Sequence, residues 1–311
     1  MKKYIEIFEV GPRDGLQSER KVIGTEDKVK LVNFLSKCGM AKIEVSSFVS
    51  PKWIPQLADA DIVFKTITRY PTVKYTALTP NLKGLNDAIA AKANEVAIFA
   101  AASETFSKKN INCSIEESIN RFKPLMVEAS AHGIPVRGYI SCITDCPYEG
   151  KVNPSMVLKI AEHLYKLGCY QISLGDTIGK ATPETLIKLY NYLFSEMSET
   201  VFAGHFHDTQ GFALENIELS IESGLKTFDT SIAGLGGCPY APGASGNVAT
   251  ERVVRFIEAK GYQTRINLLE PHQIAKCDPE CHSVGSCHNN WQRRDTYEVY
   301  MKQHRSNRIF P

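Results

Sequence analysis

The 311-residue chain is 43% hydrophobic and 23% charged, the balance of a soluble globular protein large enough to bury a sizeable core. Its formal net charge of +2 offers no electrostatic case for nucleic acid or an anionic membrane as partner, and no apolar run is long enough to span a bilayer. The opening Met1-Lys2-Lys3 leads straight into an apolar run rather than a signal or transit peptide, and the nine cysteines are scattered and odd in number, so a cytoplasmic protein with free thiols is expected.

Eight short runs read as strands: Tyr4–Val10, Lys42–Ser47, Lys74–Pro80, Glu95–Ala102, Pro135–Cys142, Tyr170–Asp176, Val201–Asp208 and Thr227–Ala233. Most are rich in Ile, Val and Phe with little alternation, as strands buried on both faces should be. Amphipathic helical segments lie between them. Ser114-Ile115-Glu116-Glu117 is a capping box. Asn153-Pro154 and Thr182-Pro183 each place an N-cap before a proline at the first helical position. Cys38-Gly39, His132-Gly133, Leu167-Gly168 and Ser223-Gly224 put glycine where a helix should stop.

Eight β-then-α units in roughly 260 residues match the count and length of an α/β protein of the (β/α)8, or TIM, barrel type. A doubly wound open sheet is the second choice, because no glycine fingerprint follows the first strand. The barrel is expected to fill residues 1–269. Residues 270–311 have another texture: Cys277, Cys281, His282, Cys287 and His288 crowd together ahead of basic residues. Their spacing could ligate zinc but is not that of a standard finger, so a loosely packed C-terminal extension is the favoured reading.

In such a barrel, chemistry sits at the C-terminal ends of the strands and in the loops after them. The unusual polar residues fall there. Arg13, Asp14 and Gln17 follow the first strand, Glu44 interrupts the second, and Asp176 ends the sixth. His205 and His207 end the seventh. With a period of two, both imidazoles point the same way; they make half of a metal site, or else two buried histidines bonded to backbone. Asp14 could add a carboxylate, or be only a turn residue, and Asn247 an amide oxygen. Such a mixed N/O set suits Mg2+ or Mn2+ with a chelating substrate better than structural zinc. Arg13 would stabilise developing anionic charge beside the ion, unless it serves only in a surface ion pair. Glu44 and Asp176 would be costly to bury unpaired, so each is expected to bond Arg13, a metal-bound water or substrate; Glu44 could instead only anchor Arg13. The stretch Gly234–Glu251 is rich in Gly and Pro and holds one thiol, Cys238, as an active-site loop or lid would. There is no nucleophile elbow, Walker loop or redox Cys-x-x-Cys.

The runs Phe8–Gln17, Ser47–Trp53, Ser141–Gly150 and Gly234–Glu251 resemble those of 3-hydroxy-3-methylglutaryl-CoA lyases, metal-dependent TIM-barrel lyases. The resemblance spans about residues 5–269, and the cysteine-bearing glycine loop is its most specific part; the Arg-Asp and His-x-His motifs alone would suit the wider superfamily, including condensing synthases. The resemblance implies that Asp14, His205, His207 and Asn247 hold Mg2+ or Mn2+, that Arg13 stabilises an enolate, and that Cys238 is a mobile catalytic acid. It marks Glu44 and Asp176 as acidic site residues, and Gln17, Asn110 and Tyr139 as neighbours of the substrate or its CoA arm. It further implies an acyl-CoA substrate, a homo-oligomer, and cleavage to acetyl-CoA and acetoacetate, with His205 or Asp14 as base. The tail departs from the family's helical C-terminus. A related 3-hydroxyacyl-CoA lyase, a condensing synthase on the same barrel and a non-catalytic binding barrel are the alternatives.

Overall fold

The structure, a computed structural model, describes residues 3–19, 21–236 and 246–268. Eight parallel strands form where the apolar runs predict them: β1 (Glu6–Glu9), β2 (Lys42–Ser47), β3 (Lys74–Leu78), β4 (Glu95–Ala101), β5 (Val136–Ser141), β6 (Gln171–Asp176), β7 (Phe202–Phe206) and β8 (Thr227–Thr230). They are hydrogen-bonded in chain order, and β1 pairs with both β2 and β8, so the sheet closes into a barrel. The open-sheet alternative is thereby excluded. β7 and β8 are buried along their whole length, because a closed barrel covers one face with its own lumen and the other with helices.

The covering helices are α1 (Thr25–Lys37), α2 (Ala60–Thr66), α3 (Leu82–Ala90), α4 (Glu104–Ile111), α5 (Ile115–Ala131), α6 (Pro154–Leu167), α7 (Pro183–Phe194), α8 (Ala213–Glu222) and α9 (Thr250–Ala259). α4 is an extra helix between β4 and α5; Ser103 starts it by accepting from the Phe106 amide. Ser114 caps α5 with the reciprocal Glu117 bond that the sequence announces. Thr182 and Asn153 cap α7 and α6 as expected. Between β5 and α6, Asp145–Cys146 and Gly150–Lys151 form a two-residue antiparallel ribbon. Among the described residues, no helix is long and apolar enough to cross a membrane, and Cys38, Cys113, Cys142, Cys146 and Cys169 are buried and form no disulfide.

Several strands stop earlier than the apolar pattern predicts. β1 ends at Glu9 rather than Val10, β7 at Phe206 rather than Asp208, and β8 at Thr230 rather than Ala233. The cause is visible after β1, where the Val10 carbonyl accepts from the amides of Arg13, Asp14 and Gly15. That carbonyl nucleates one π turn over Gly11–Gly15, and the chain folds back across the barrel end instead of continuing along it.

Candidate metal centre and active site

The π turn after β1 carries Arg13 and Asp14. It can sit there only because Gly15 lacks a side chain: a Cβ would lie 2.7 Å from Leu235 Cβ and 2.8 Å from Ser231 Oγ. β7 delivers His205, and one residue past its end His207 makes an isolated antiparallel bridge with Asn247. The two imidazole centroids are 5.5 Å apart, as the period of two anticipates. Asn247 donates its Nδ2 to Asp14 Oδ2 at 2.7 Å, tying the end of the glycine loop to the turn after β1. Gly236, at φ +97°, lets the loop pass between them; a Cβ there would be 3.0 Å from Asn247 Nδ2 and 3.1 Å from Gly15 Cα. Asp14, His205 and His207 each offer a donor atom, and these lie within 4.8 Å of one another.

Charge around this cluster is tightly arranged. Arg13 is 6% exposed. Its Nε donates to Glu44 Oε2 at 2.5 Å, and its Nη1 pairs with Asp14. Burial disfavours the guanidinium's charge, but Glu44 and Asp14 outweigh it and hold Arg13 protonated. Burial would raise the Asp14 carboxyl, yet Arg13 and His205 keep it well below the usual carboxylate range. Glu44 is itself raised by burial, against the pull of Arg13. Burial and the neighbouring His205 lower His207 to about 4, so its imidazole is neutral at pH 7. Burial lowers His205 too, but the bond to Asp229 and its charge prevail and raise it.

These residues fit a divalent cation. The cluster combines one anionic carboxylate with two imidazoles, an N/O donor set. A ligating imidazole must be neutral, and His207 is. Its Nδ1 is buried with no hydrogen-bond partner among the described residues, a costly state for an isolated ring nitrogen and a natural one for a ligand.

Other residues singled out in the sequence fall in different places. Glu44 anchors Arg13, one of the two roles open to it. Tyr139 lies 8% exposed inside the barrel; its hydroxyl donates to Glu44 Oε1 at 3.3 Å and its ring is 5.5 Å from the Arg13 guanidinium. Gln17 is half-buried, and its Oε1 has no partner among the described residues. Asn110 is exposed in the last turn of α4, with no hydrogen bond to the cluster. Asp176 does not bond Arg13. Its two oxygens accept from the Lys180 and Ala181 amides at 3.0 Å each and fix the turn after β6, while burial still raises its carboxyl to about 7. Cys238 and the extension 270–311 lie outside the described residues.

Two features escaped the sequence reading. Arg137 and Asp229 form a buried ion pair at 2.8 Å, joined by Ser173 at 2.7 Å. Glu9 accepts from Gly11 N, Ile232 N and Thr250 Oγ1. The available signal was an ionisable residue inside an apolar strand, the same signal that marked Glu44.

Residues 4–277 match the family described as HMGL-like. Over 267 residues the chain is 51% identical to the 3-hydroxy-3-methylglutaryl-CoA lyase, cytoplasmic, of Danio rerio, covering 86% of this chain and 80% of that protein. The chain belongs to the HMGL-like family. Members at similar identity are also named as mitochondrial hydroxymethylglutaryl-CoA lyases, as in Bos taurus. Among solved structures, the HMG-CoA lyase of Brucella melitensis is 50% identical, with a TM-score of 0.85, over 86% of this chain and 94% of that one. An HMG-CoA lyase of A. baumannii, solved with coenzyme A and 3-methylmalate, is 39% identical, with a TM-score of 0.81, over 85% of this chain and 87% of that one. The protein is thus a lyase of the HMGL-like family on a TIM barrel, and the Asp14–His205–His207 cluster lies at the catalytic end of that barrel.

Proposed function

We propose that this HMGL-like lyase cleaves 3-hydroxy-3-methylglutaryl-CoA to acetyl-CoA and acetoacetate. The observation that carries the reading is the carboxylate and two imidazoles beside a buried arginine, in a chain about half identical to lyases named for that substrate. Asp14, His205 and His207 would hold Mg2+ or Mn2+. Asn247 would join them once its amide turns Oδ1 inward, since Nδ2 now faces Asp14. A divalent cation bound there supplies Lewis-acid polarisation of the substrate's C3 hydroxyl and carboxylate.

The chain's own residues account for the rest. A base takes the hydroxyl proton, and the C2–C3 bond breaks to leave acetoacetate and the enolate of acetyl-CoA. Arg13, immobilised by Glu44, offsets the new negative charge as a preorganised cation. Cys238 supplies the proton to the enolate carbon; a free thiol with a pKa of about 8.5 stays protonated at neutral pH. Gln17, whose Oε1 has no partner among the described residues, would meet the substrate through that oxygen. A condensing synthase would share the barrel and the cation site, but nothing favours it over the lyases to which the chain is similar.

The test is acetoacetate release from 3-hydroxy-3-methylglutaryl-CoA with Mg2+, with Mn2+ and with chelator. Metal-dependent product is expected. Full release in excess chelator would refute the cation site, and no release from this substrate with metal bound would redirect the search to other 3-hydroxyacyl-CoA thioesters. Cys238→Ser should lose most turnover while metal affinity survives.

A further inference from the structure

Arg137 and Asp229 take no part in the reaction outlined above, yet both are buried in the barrel. β5 and β8 are not neighbours, since β6 and β7 separate them, so the pair must meet across the lumen. The Asp229 carboxylate receives a full set of contacts. Arg137 Nη2 donates to Oδ1 at 2.8 Å, and Arg137 Nη1 donates to Oδ2 at 3.1 Å. Ser173 Oγ donates to Oδ2 at 2.7 Å, and His205 Nδ1 sits 3.2 Å from the same oxygen. Arg137 is held in turn: its Nε donates to Gln171 Oε1 at 2.9 Å, its Nη1 reaches Tyr139 Oη at 3.1 Å, and the Phe8 ring centroid is 4.5 Å from the guanidinium. Asp229 and His205 are register partners on adjacent strands.

The chemistry of this arrangement fixes a proton. A carboxylate gripped by a two-pronged guanidinium is ionised and has only lone pairs to offer. A nitrogen hydrogen-bonded to it must therefore be the donor. We propose that Asp229 is the positioning residue of the metal centre: it holds His205 with a proton on Nδ1 and leaves Nε2 as the single lone pair that the imidazole can give. The inference rests on the reading of His205 as a ligand. Arg137 and Ser173 keep the carboxylate ionised and aligned, as the partners of ligating histidines commonly do. One consequence bears on the mechanism. With Nδ1 committed to Asp229 and Nε2 to the cation, His205 has no lone pair left for the substrate's proton, so of the two candidate bases Asp14 alone remains.

The test uses the full chain labelled with 15N at histidine, freed of metal and studied at pH 8.5, with His205 assigned from the signals missing in His205→Gln. Long-range 1H–15N correlations should show Nδ1 protonated and Nε2 bare, and Mg2+ should shift the Nε2 resonance. A wild-type His205 protonated on Nε2 would overturn the assignment to Asp229 without recourse to any variant. A Nδ1-protonated ring whose Nε2 ignores Mg2+ would instead overturn the reading of His205 as a ligand. Asp229→Asn should turn an amide N–H toward Nδ1 and move the imidazole proton to Nε2, the tautomer error known from triad histidines. Mn2+ affinity by calorimetry should then fall about 10–100-fold. Unchanged affinity in a folded Asp229→Asn protein would also overturn the proposal.

Discussion

Arg13 reaches two carboxylates at once, Glu44 through Nε and Asp14 through Nη1. Only a planar fork can serve both; an ammonium is a point charge on a flexible stem. Arg13→Lys should therefore lower kcat by about 10²–10³-fold, the loss typical of removing one preorganised donor to a developing oxyanion, with a smaller change in KM; steady-state kinetics at saturating metal reads the split. Glu9 allows a prediction about stability instead. Burial raises its carboxyl to about 7 against three donors that favour the charged form. The folded state therefore holds a proton that the unfolded chain has lost. Stability from this group is full below an unfolded value of about 4.5 and drains away as pH rises through about 7, by about 3 kcal/mol in all. Glu9→Gln removes the titration while keeping the contacts, since its carbonyl can accept from Gly11 and Ile232 and its amide can donate to Thr250. Urea unfolding from pH 5 to 8.5 should show wild type losing ground to the variant as pH rises. Parallel pH curves would contradict the raised carboxyl.

At the level of elements, the π turn and the start of the glycine loop at Leu235–Gly236 are packed without slack. Gly15→Ala would drive a Cβ to 2.7 Å from Leu235 Cβ, and both neighbours carry site residues. Overpacking of this kind costs about 1–3 kcal/mol, and here the displaced atoms belong to the turn bearing Arg13 and Asp14. Turnover should fall by more than the thermal shift suggests. Ser114→Ala is the contrasting case: losing the α5 capping box should cost about 1 kcal/mol and leave kcat/KM untouched. The two variants measured together separate damage to the scaffold from damage to the site. They also mark what the sequence made legible. Caps are local, so Ser114, Asn153 and Thr182 could be read from four consecutive residues. The π turn depends on one carbonyl, that of Val10, collecting three amides at a strand end, and no residue spacing reports that. Strand runs were legible from their β-branched content, and so were the ends of β2 and β6, but β1, β7 and β8 stop short of their apolar runs where the chain turns out of the ladder.

For the whole barrel, the polar residues at the catalytic end were legible because each stands out against an apolar strand. The same contrast placed Glu44 but missed Arg137 and Asp229, since their partnership spans 92 positions in the chain and exists only once the sheet has closed. The pair makes the barrel interior an electrostatic unit rather than a purely apolar one. Asp229 is held down at about 2 because Arg137 and His205 together outweigh its burial. A buried ion pair of this kind is not in itself a source of stability, since its desolvation can exceed its attraction, whereas removal of one member strands the other. Arg137→Met should thus cost about 3–5 kcal/mol. Adding Asp229→Leu to it should restore part of that loss, a coupling of about 0.5–3 kcal/mol between two groups in direct contact. Metal affinity should behave differently. The double variant has no carboxylate at His205 Nδ1, so its Mn2+ binding should stay weak even where folding recovers. Denaturant unfolding and calorimetry on the four proteins of the cycle would show whether the two properties part company. If affinity recovered together with stability, the pair would be scaffold alone and Asp229 would have no special hold on the metal centre.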